Sequence, residues 1–193
     1  HSITLGLVRA LLDKYPKLSV LQLDAHADMR DTYQDTPFNH ACVARRISEI
    51  CPIVQVGIRS LSVEEAEFLK SEKKAGKKAA SRIKTHYAAD VINWKDIVKD
   101  LTGDVCITVD LDVFDPSIMP ATGTPEPGGL LWHDVLSVIK AAAYNRRVVG
   151  FDVVELCPLP GNIAPDFLAA KLVYKMMAYV NDAAKSGAGR KRR

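Results

Sequence analysis

The stretch "DVCITVDLDVFDP", Asp104 to Pro116, decides the fold. Its first half is apolar and β-branched, the composition of a strand buried on both faces. Three aspartates then follow, Asp110, Asp112 and Asp115. Asp110 and Asp112 stand two residues apart, so on a strand they share one face. Like charges gathered at a buried strand end repel one another unless solvent screens them or a cation sits between them.

Four similar runs flank this one: "LSVLQLD" (18–24), "IVQVGI" (53–58), "RIKTHY" (82–87) and "RVVGFD" (147–152). With "VCITVD" (105–110) they make five strand-like segments. Between them lie helical patterns. "SITLGLVRALLDKY" opens on Ser2 as a candidate cap, and "HACVARRISEI" carries Val43, Ile47 and Ile50 at helical spacing. "SVEEAEFLKSEKKAGKKAA" has its acids first and its lysines last, as the helix dipole favours. "LLWHDVLSVIKAAAY" and "APDFLAAKLVYKMMAYV" complete the set. This alternation predicts an α/β protein of three layers, α/β/α, with a mainly parallel five-stranded sheet. Residues 1–182 form one domain, and the basic tail over 183–193 is expected to be disordered.

The chain has 193 residues, 48% of them hydrophobic, enough for one core. A formal net charge of +3 is too small to argue for nucleic acid. Cys42, Cys51, Cys106 and Cys157 are scattered and read as reduced thiols in a cytoplasmic protein. No apolar run has transmembrane length, so no membrane partner is expected.

The other strand ends are charged too. After the first come Asp24, His26 and Asp28 in "LQLDAHADMRD", at alternate positions that can converge on one side. After the last come Asp152 and Glu155 in "GFDVVELCP". In open α/β sheets ligands bind beyond these carboxyl ends. A divalent cation would supply the countercharge. Oxygen and imidazole donors without thiolate favour manganese over magnesium, iron or zinc.

"DAHAD", "VDLDVFDP", "TGTPEPGGL" and "GFDVVELCP" together resemble the motifs of the ureohydrolase family, which includes arginase and agmatinase. The match runs in order from "HS" at residue 1 to "APDFLAAKLVYK". The resemblance implies an arginase-like fold and two manganese ions sharing a hydroxide that hydrolyses guanidino groups to urea. It makes Asp24 and Asp110 the bridging ligands, with His1 and Asp28 completing one site and His26 and Asp112 the other. Glu155 would grip the guanidinium plane through paired hydrogen bonds. Asp152 would position ligands or metal-bound solvent. His40 would shuttle the proton to the leaving amine, or else it caps the helix that follows it. His86 and His133 have no motif around them and read as ordinary histidines.

The loop "MRDTYQDTPFNHA", with "VGIRS" at 56–60, looks like the agmatinase pattern, which implies conversion of agmatine to putrescine and urea. Asp35 departs from it where glycine is usual, and Asn39 where serine is common. Asn39 is a candidate for binding a substrate carboxylate. Arginine, guanidinobutyrate and guanidinopropionate therefore stay open as substrates, and Asp31 or Asp35 could meet a second positive end. A different class is an inactive metal-binding relative that serves as an assembly partner. The resemblance also implies homo-oligomers, trimers or hexamers. Five strands are fewer than the family's full sheet, so a longer chain of about 300 residues is expected.

Overall fold

The computed structural model describes residues 1–75, 82–90 and 93–187. Five strands form one parallel sheet: β1 (Leu18–Leu23), β2 (Ile53–Ile58), β3 (Ile83–Tyr87), β4 (Asp104–Asp110) and β5 (Arg147–Val154). Their order is β3-β2-β1-β4-β5. All five expected strands are present, and they form the expected parallel sheet of an α/β protein.

Among the described residues six α-helices accompany them: α1 (Thr4–Lys14), α2 (Val43–Ile50), α3 (Val63–Ala75), α4 (Trp94–Asp100), α5 (Trp132–Asn145) and α6 (Ala164–Ser186). The sheet separates two apolar clusters. On one face Leu5 and Val8 of α1, Val43 and Ile47 of α2 and Leu69 of α3 pack with Val20, Ile53 and Cys106. On the other, Ile97 of α4, Val135 and Ile139 of α5 and Leu172 and Met176 of α6 pack with Leu21, Leu23, Ile107 and Val109. Successive residues of β1 and β4 thus serve opposite cores, which is why these strands read as unbroken apolar runs. Ile107 is fully buried, and truncation to alanine there would cost about 2–5 kcal/mol.

The fold departs from the sequence expectation in three places, and one expectation cannot be compared. Ser2 caps nothing: Ile3 holds the cap position of α1, without a side-chain bond. Helix α4 was not anticipated; seven residues are too short to show a period, and its signal is Asn93, whose side chain accepts from Lys95 N. The end of the α3 pattern, 76–80, lies outside the described residues. Helix α6 runs on to Ser186 and stops at Gly187 with φ 68°, so the first residues of the expected tail are helical; 188–193 lie outside the described residues.

The strand order places the site. From β1 the chain winds outward through β2 and β3, then crosses back through α4 to β4 on β1's other side. The connections leave β1 and β4 in opposite directions, so a crevice opens at their carboxyl ends. β1 ends one residue before Asp24, and β4 ends on Asp110. Backbone geometry sharpens the crevice at Gly57, where the β2–β3 register shifts. Its φ is 94°, and a Cβ there would lie 2.8 Å from Val113 Cγ2 and 3.1 Å from Asp24 O. Only glycine lets β2 lie this close to the site.

Candidate metal centre

Asp24 stands at the middle of the crevice, fully buried. Both its oxygens accept hydrogen bonds: Oδ1 from His26 N at 2.7 Å and Oδ2 from Gln22 Nε2 at 2.8 Å. Asp110 Oδ1 accepts from Asp112 N at 3.1 Å, which turns the chain after β4 and brings both carboxylates to the same side. Asp112 Oδ1 accepts from Ala25 N at 3.0 Å and so laces the β4 end to the β1 end.

His1 enters from before α1. Its Nδ1 is buried without a hydrogen-bond partner. It faces Asp24 Oδ2 at 3.1 Å, Asp28 Oδ2 at 3.2 Å and Asp110 Oδ2 at 3.2 Å. Its other nitrogen, Nε2, lies 2.9 Å from Thr108 Oγ1. His26 Nδ1 lies 2.8 Å from Asp112 Oδ2 and 3.8 Å from Asp24 Oδ1. Two groups of donors therefore form, His1–Asp24–Asp110 and Asp24–His26–Asp112, with Asp24 common to both. An orphaned imidazole nitrogen ringed by carboxylate oxygens is a donor set that fits a divalent cation. All six ligands expected from the sequence converge here.

Burial and mutual repulsion raise the carboxylic acids. Burial, with the Asp28 charge next, lifts Asp24 to about 7. Burial lifts Asp28 to about 6, against the pull of His1. Asp110 is pushed well above the ordinary range by burial and by Asp24. Burial opposes charge on both histidines, but the carboxylates outweigh it: His1 is raised well above 6.5, and His26 to about 9 beside Asp112. Asp112, although buried, is lowered by His26 and by its hydrogen bonds. Without a cation, protons must neutralise this cluster.

Glu155 lies on the loop after β5 with φ 65°, and Asp28 has φ 52°. Both hold left-handed backbone that costs an L-residue about 1–2 kcal/mol. Strain of this kind concentrates at functional positions. His40 opens a 3-10 turn over His40–Cys42, is exposed, and stands edge-on to the Tyr33 ring at 6.0 Å. A cleft of about 490 Å³ connects these groups, lined by His1, His26, Asp28, His40, Asp110 and Glu155 among others.

Four side chains singled out from the sequence do not line the cleft. Asn39 does not line this cleft; its Oδ1 accepts from Ala41 N at 3.2 Å and caps the turn that carries His40. Asp152 Oδ2 accepts from Thr4 Oγ1 at 2.8 Å, and Thr4 lies 3.4 Å from the Thr108 hydroxyl that meets His1. Asp152 thus reaches the cluster through two threonines. Asp31 is paired with Arg46 Nη2 at 2.7 Å, and Asp35 sits exposed in a tight turn; neither lines the cleft.

Sequence reasoning missed Arg59. Its guanidinium donates to the backbone carbonyls of Asp112 (2.7 Å), Glu126 (2.7 Å), Pro127 (3.0 Å) and Gly57 (3.2 Å), with longer bonds to Phe114 and Val113. It staples the loop after β4 to the "TGTPEPGG" loop. Asp115, the third acid of the opening motif, does the same from the other side: its Oδ2 accepts from Gly128 N and Gly129 N. Hydrogen bonds from Ser117 and Gly129 hold its pKa at about 2. Asp115 is therefore part of the frame around the cluster.

Comparison with known proteins agrees with this geometry. Residues 1–178 match the arginase family. The chain is 39% identical over 186 residues to the N(1)-aminopropylagmatine ureohydrolase of Synechocystis sp., covering 93% of this chain and 58% of that protein. It is 37% identical over 177 residues to the agmatinase of Pyrococcus horikoshii, covering 90% of this chain and 58% of that protein. Among solved structures it superposes on the agmatine ureohydrolase of Thermoplasma volcanium with a TM-score of 0.79 and 34% identity, covering 96% of this chain and 61% of that one. The chain thus spans a little under three fifths of these curated relatives' length. With its acid cluster at the β1–β4 crevice and a family match through 178 residues, the chain belongs to the arginase family.

Proposed function

We propose that this chain carries the metal-binding catalytic core of a hydrolase that splits guanidino compounds, with agmatine as substrate and putrescine and urea as products. The observation that carries the reading is His1 Nδ1, buried, without a hydrogen bond, and facing carboxylate oxygens of Asp24, Asp28 and Asp110. In this reading Asp24 and Asp110 would be shared by two ions, His1 and Asp28 would complete one site, and His26 and Asp112 would complete the other. Two divalent cations held there, manganese by the donor types, would supply Lewis acidity and a nucleophile at neutral pH.

The chain's own residues do the rest. Glu155 binds the guanidinium, whose paired N–H groups match a carboxylate, and so fixes its plane. His40, exposed at the cleft, donates the proton that the departing amine needs. Asp152, Thr4 and Thr108 hold His1 in orientation. The agmatinase and aminopropylagmatine ureohydrolase names of the relatives support an amine-bearing tail.

One observation favours a second substrate. Arg30 lines the cleft, and its nearest carboxylate contact is Glu65 at 4.0 Å. Glu65 is already engaged by Met29 N and Ser62 N. A half-exposed guanidinium there suits the carboxylate of guanidinobutyrate. Urea release from agmatine, aminopropylagmatine, arginine and guanidinobutyrate, with manganese added, separates the readings. Release from agmatine alone supports the first, and release from guanidinobutyrate alone the second. No urea from any of them would overturn both.

We further propose a cytoplasmic enzyme, in keeping with four free cysteines. Among the described residues no helix is long and apolar enough to cross a membrane. Self-assembly into trimers or hexamers finds support in the apolar side chains that α6 exposes at Phe167, Tyr174 and Met177.

A further inference from the structure

β1, β2 and β3 place polar side chains side by side at matching register, Gln22 opposite Gln55 and Gln55 opposite Thr85. Every residue of β1 and β2 is buried, and the two glutamines are 1% and 0% exposed. An amide buried this deeply is costly unless its hydrogen bonds are made. Here they are made in one direction. Thr85 Oγ1 donates to Gln55 Oε1 at 3.0 Å, Gln55 Nε2 donates to Gln22 Oε1 at 2.9 Å, and Gln22 Nε2 donates to Asp24 Oδ2 at 2.8 Å. The second bond of Gln55 Nε2 goes to Ala27 O at 2.7 Å, between His26 and Asp28.

We propose that Gln22 and Gln55 are positioning residues for the metal centre. Their relay fixes the carboxylate plane of Asp24, the one side chain common to both donor groups. Through Ala27 it also holds the turn that presents His26 and Asp28. Successive donors pointing the same way polarise one another, which strengthens the last bond. The inference rests on the functional reading above for what the centre binds, and on the hydrogen bonds for how it is held.

The test uses residues 1–193 with Gln22→Met and Gln55→Met, unbranched side chains of similar reach without the amide. Manganese titration by calorimetry should show affinity weakened about 10- to 100-fold in Gln22→Met, the range for partners that orient a metal ligand. Gln22→His, which can donate from its ring, should recover most of that loss. A core-packing role would change thermal stability in all three variants and leave manganese affinity alone. In the metal-free protein, the Gln22 side-chain amide should exchange slowly with solvent, and Gln55→Met should accelerate it.

Manganese affinity of Gln22→Met within twofold of the unmutated chain overturns the proposal, as does unchanged amide exchange in Gln55→Met. If the unmutated chain takes up no manganese, the functional reading fails, and amide exchange alone decides the relay. If Gln22→Met does not fold, Thr85→Val replaces it, since it unhooks only the outer, half-buried end. The relay then requires faster exchange of the Gln55 amide, and unchanged exchange overturns it.

Discussion

Asp24→Asn should make the metal-free protein more stable at pH 8 and less stable at pH 4.5. Two effects of opposite sign meet at this side chain. A pKa raised from an ordinary 3.8 to about 7 corresponds to about 4 kcal/mol against the ionised carboxylate. Because the folded pKa lies above the unfolded one, the native state keeps its full stability below about pH 4 and loses it as pH rises through about 7. Asparagine abolishes that loss. It also brings a penalty, since both Asp24 oxygens accept hydrogen bonds, from His26 N and Gln22 Nε2. An amide must turn its NH₂ toward one of these donors, at about 1–3 kcal/mol. At pH 8 the net gain is about 2 kcal/mol, or about 4–8 °C in Tm for a chain of this size. At pH 4.5 most of the gain is gone, the penalty remains, and the order reverses. Thermal unfolding followed by circular dichroism in the presence of a chelator reads both. Added manganese should raise the Tm of the unmutated chain only. A variant less stable at both pH values would refute the account of Asp24 as a strained, doubly accepting carboxylate.

Manganese affinity should climb between about pH 6 and pH 9 with release of protons, because Asp28 at about 6, Asp24 at about 7 and His26 at about 9 must give up protons to become ligands; calorimetry in buffers of different ionisation enthalpy counts them, and a flat profile would contradict the shifts. Glu155→Gln should lower kcat/KM about a hundredfold, about 3 kcal/mol for a charge-assisted contact, with manganese content unchanged; near-normal turnover would remove Glu155 from the substrate. Asp35→Gly should raise Tm by about 2–4 °C, since Asp35 has φ 61° in an exposed turn and glycine relieves about 1 kcal/mol there. Its manganese affinity should match that of the unmutated chain, and a fall would show that the turn bears on the site.

The strands were legible because burial on both faces leaves one signature, a short apolar run, and β1, β2 and β4 carry it. The acid cluster was legible from the close spacing of its residues and from the motifs they form, although strand alternation is not what gathers them: Asp24, His26 and Asp28 follow the end of β1, Asp28 with φ 52°, and Asp112 lies on a 3-10 turn after β4. Helix α4 left no comparable trace in seven residues. Asn39 misled because capping and substrate binding ask for the same amide, and only position in space separates them. Gln22 and Gln55 were passed over because one polar residue in a strand ordinarily faces water. Their register across β1 and β2, which pairs them, is a property of the sheet and not of either segment.

Among the described residues Arg59 donates only to main-chain oxygens, those of Gly57, Asp112, Val113, Phe114, Glu126 and Pro127. A clamp of that kind is indifferent to side-chain identity in the loops it holds. Positions there whose side chains make no bonds of their own can change, and so retune what the cleft admits, while Asp112 and Asp115 stay tied to Ala25 and to Gly128 and Gly129. The freedom runs one way only. Lysine keeps the charge at position 59 but offers a single nitrogen where the guanidinium presents a planar fork, so the latitude of the loops around it depends on one residue that has none.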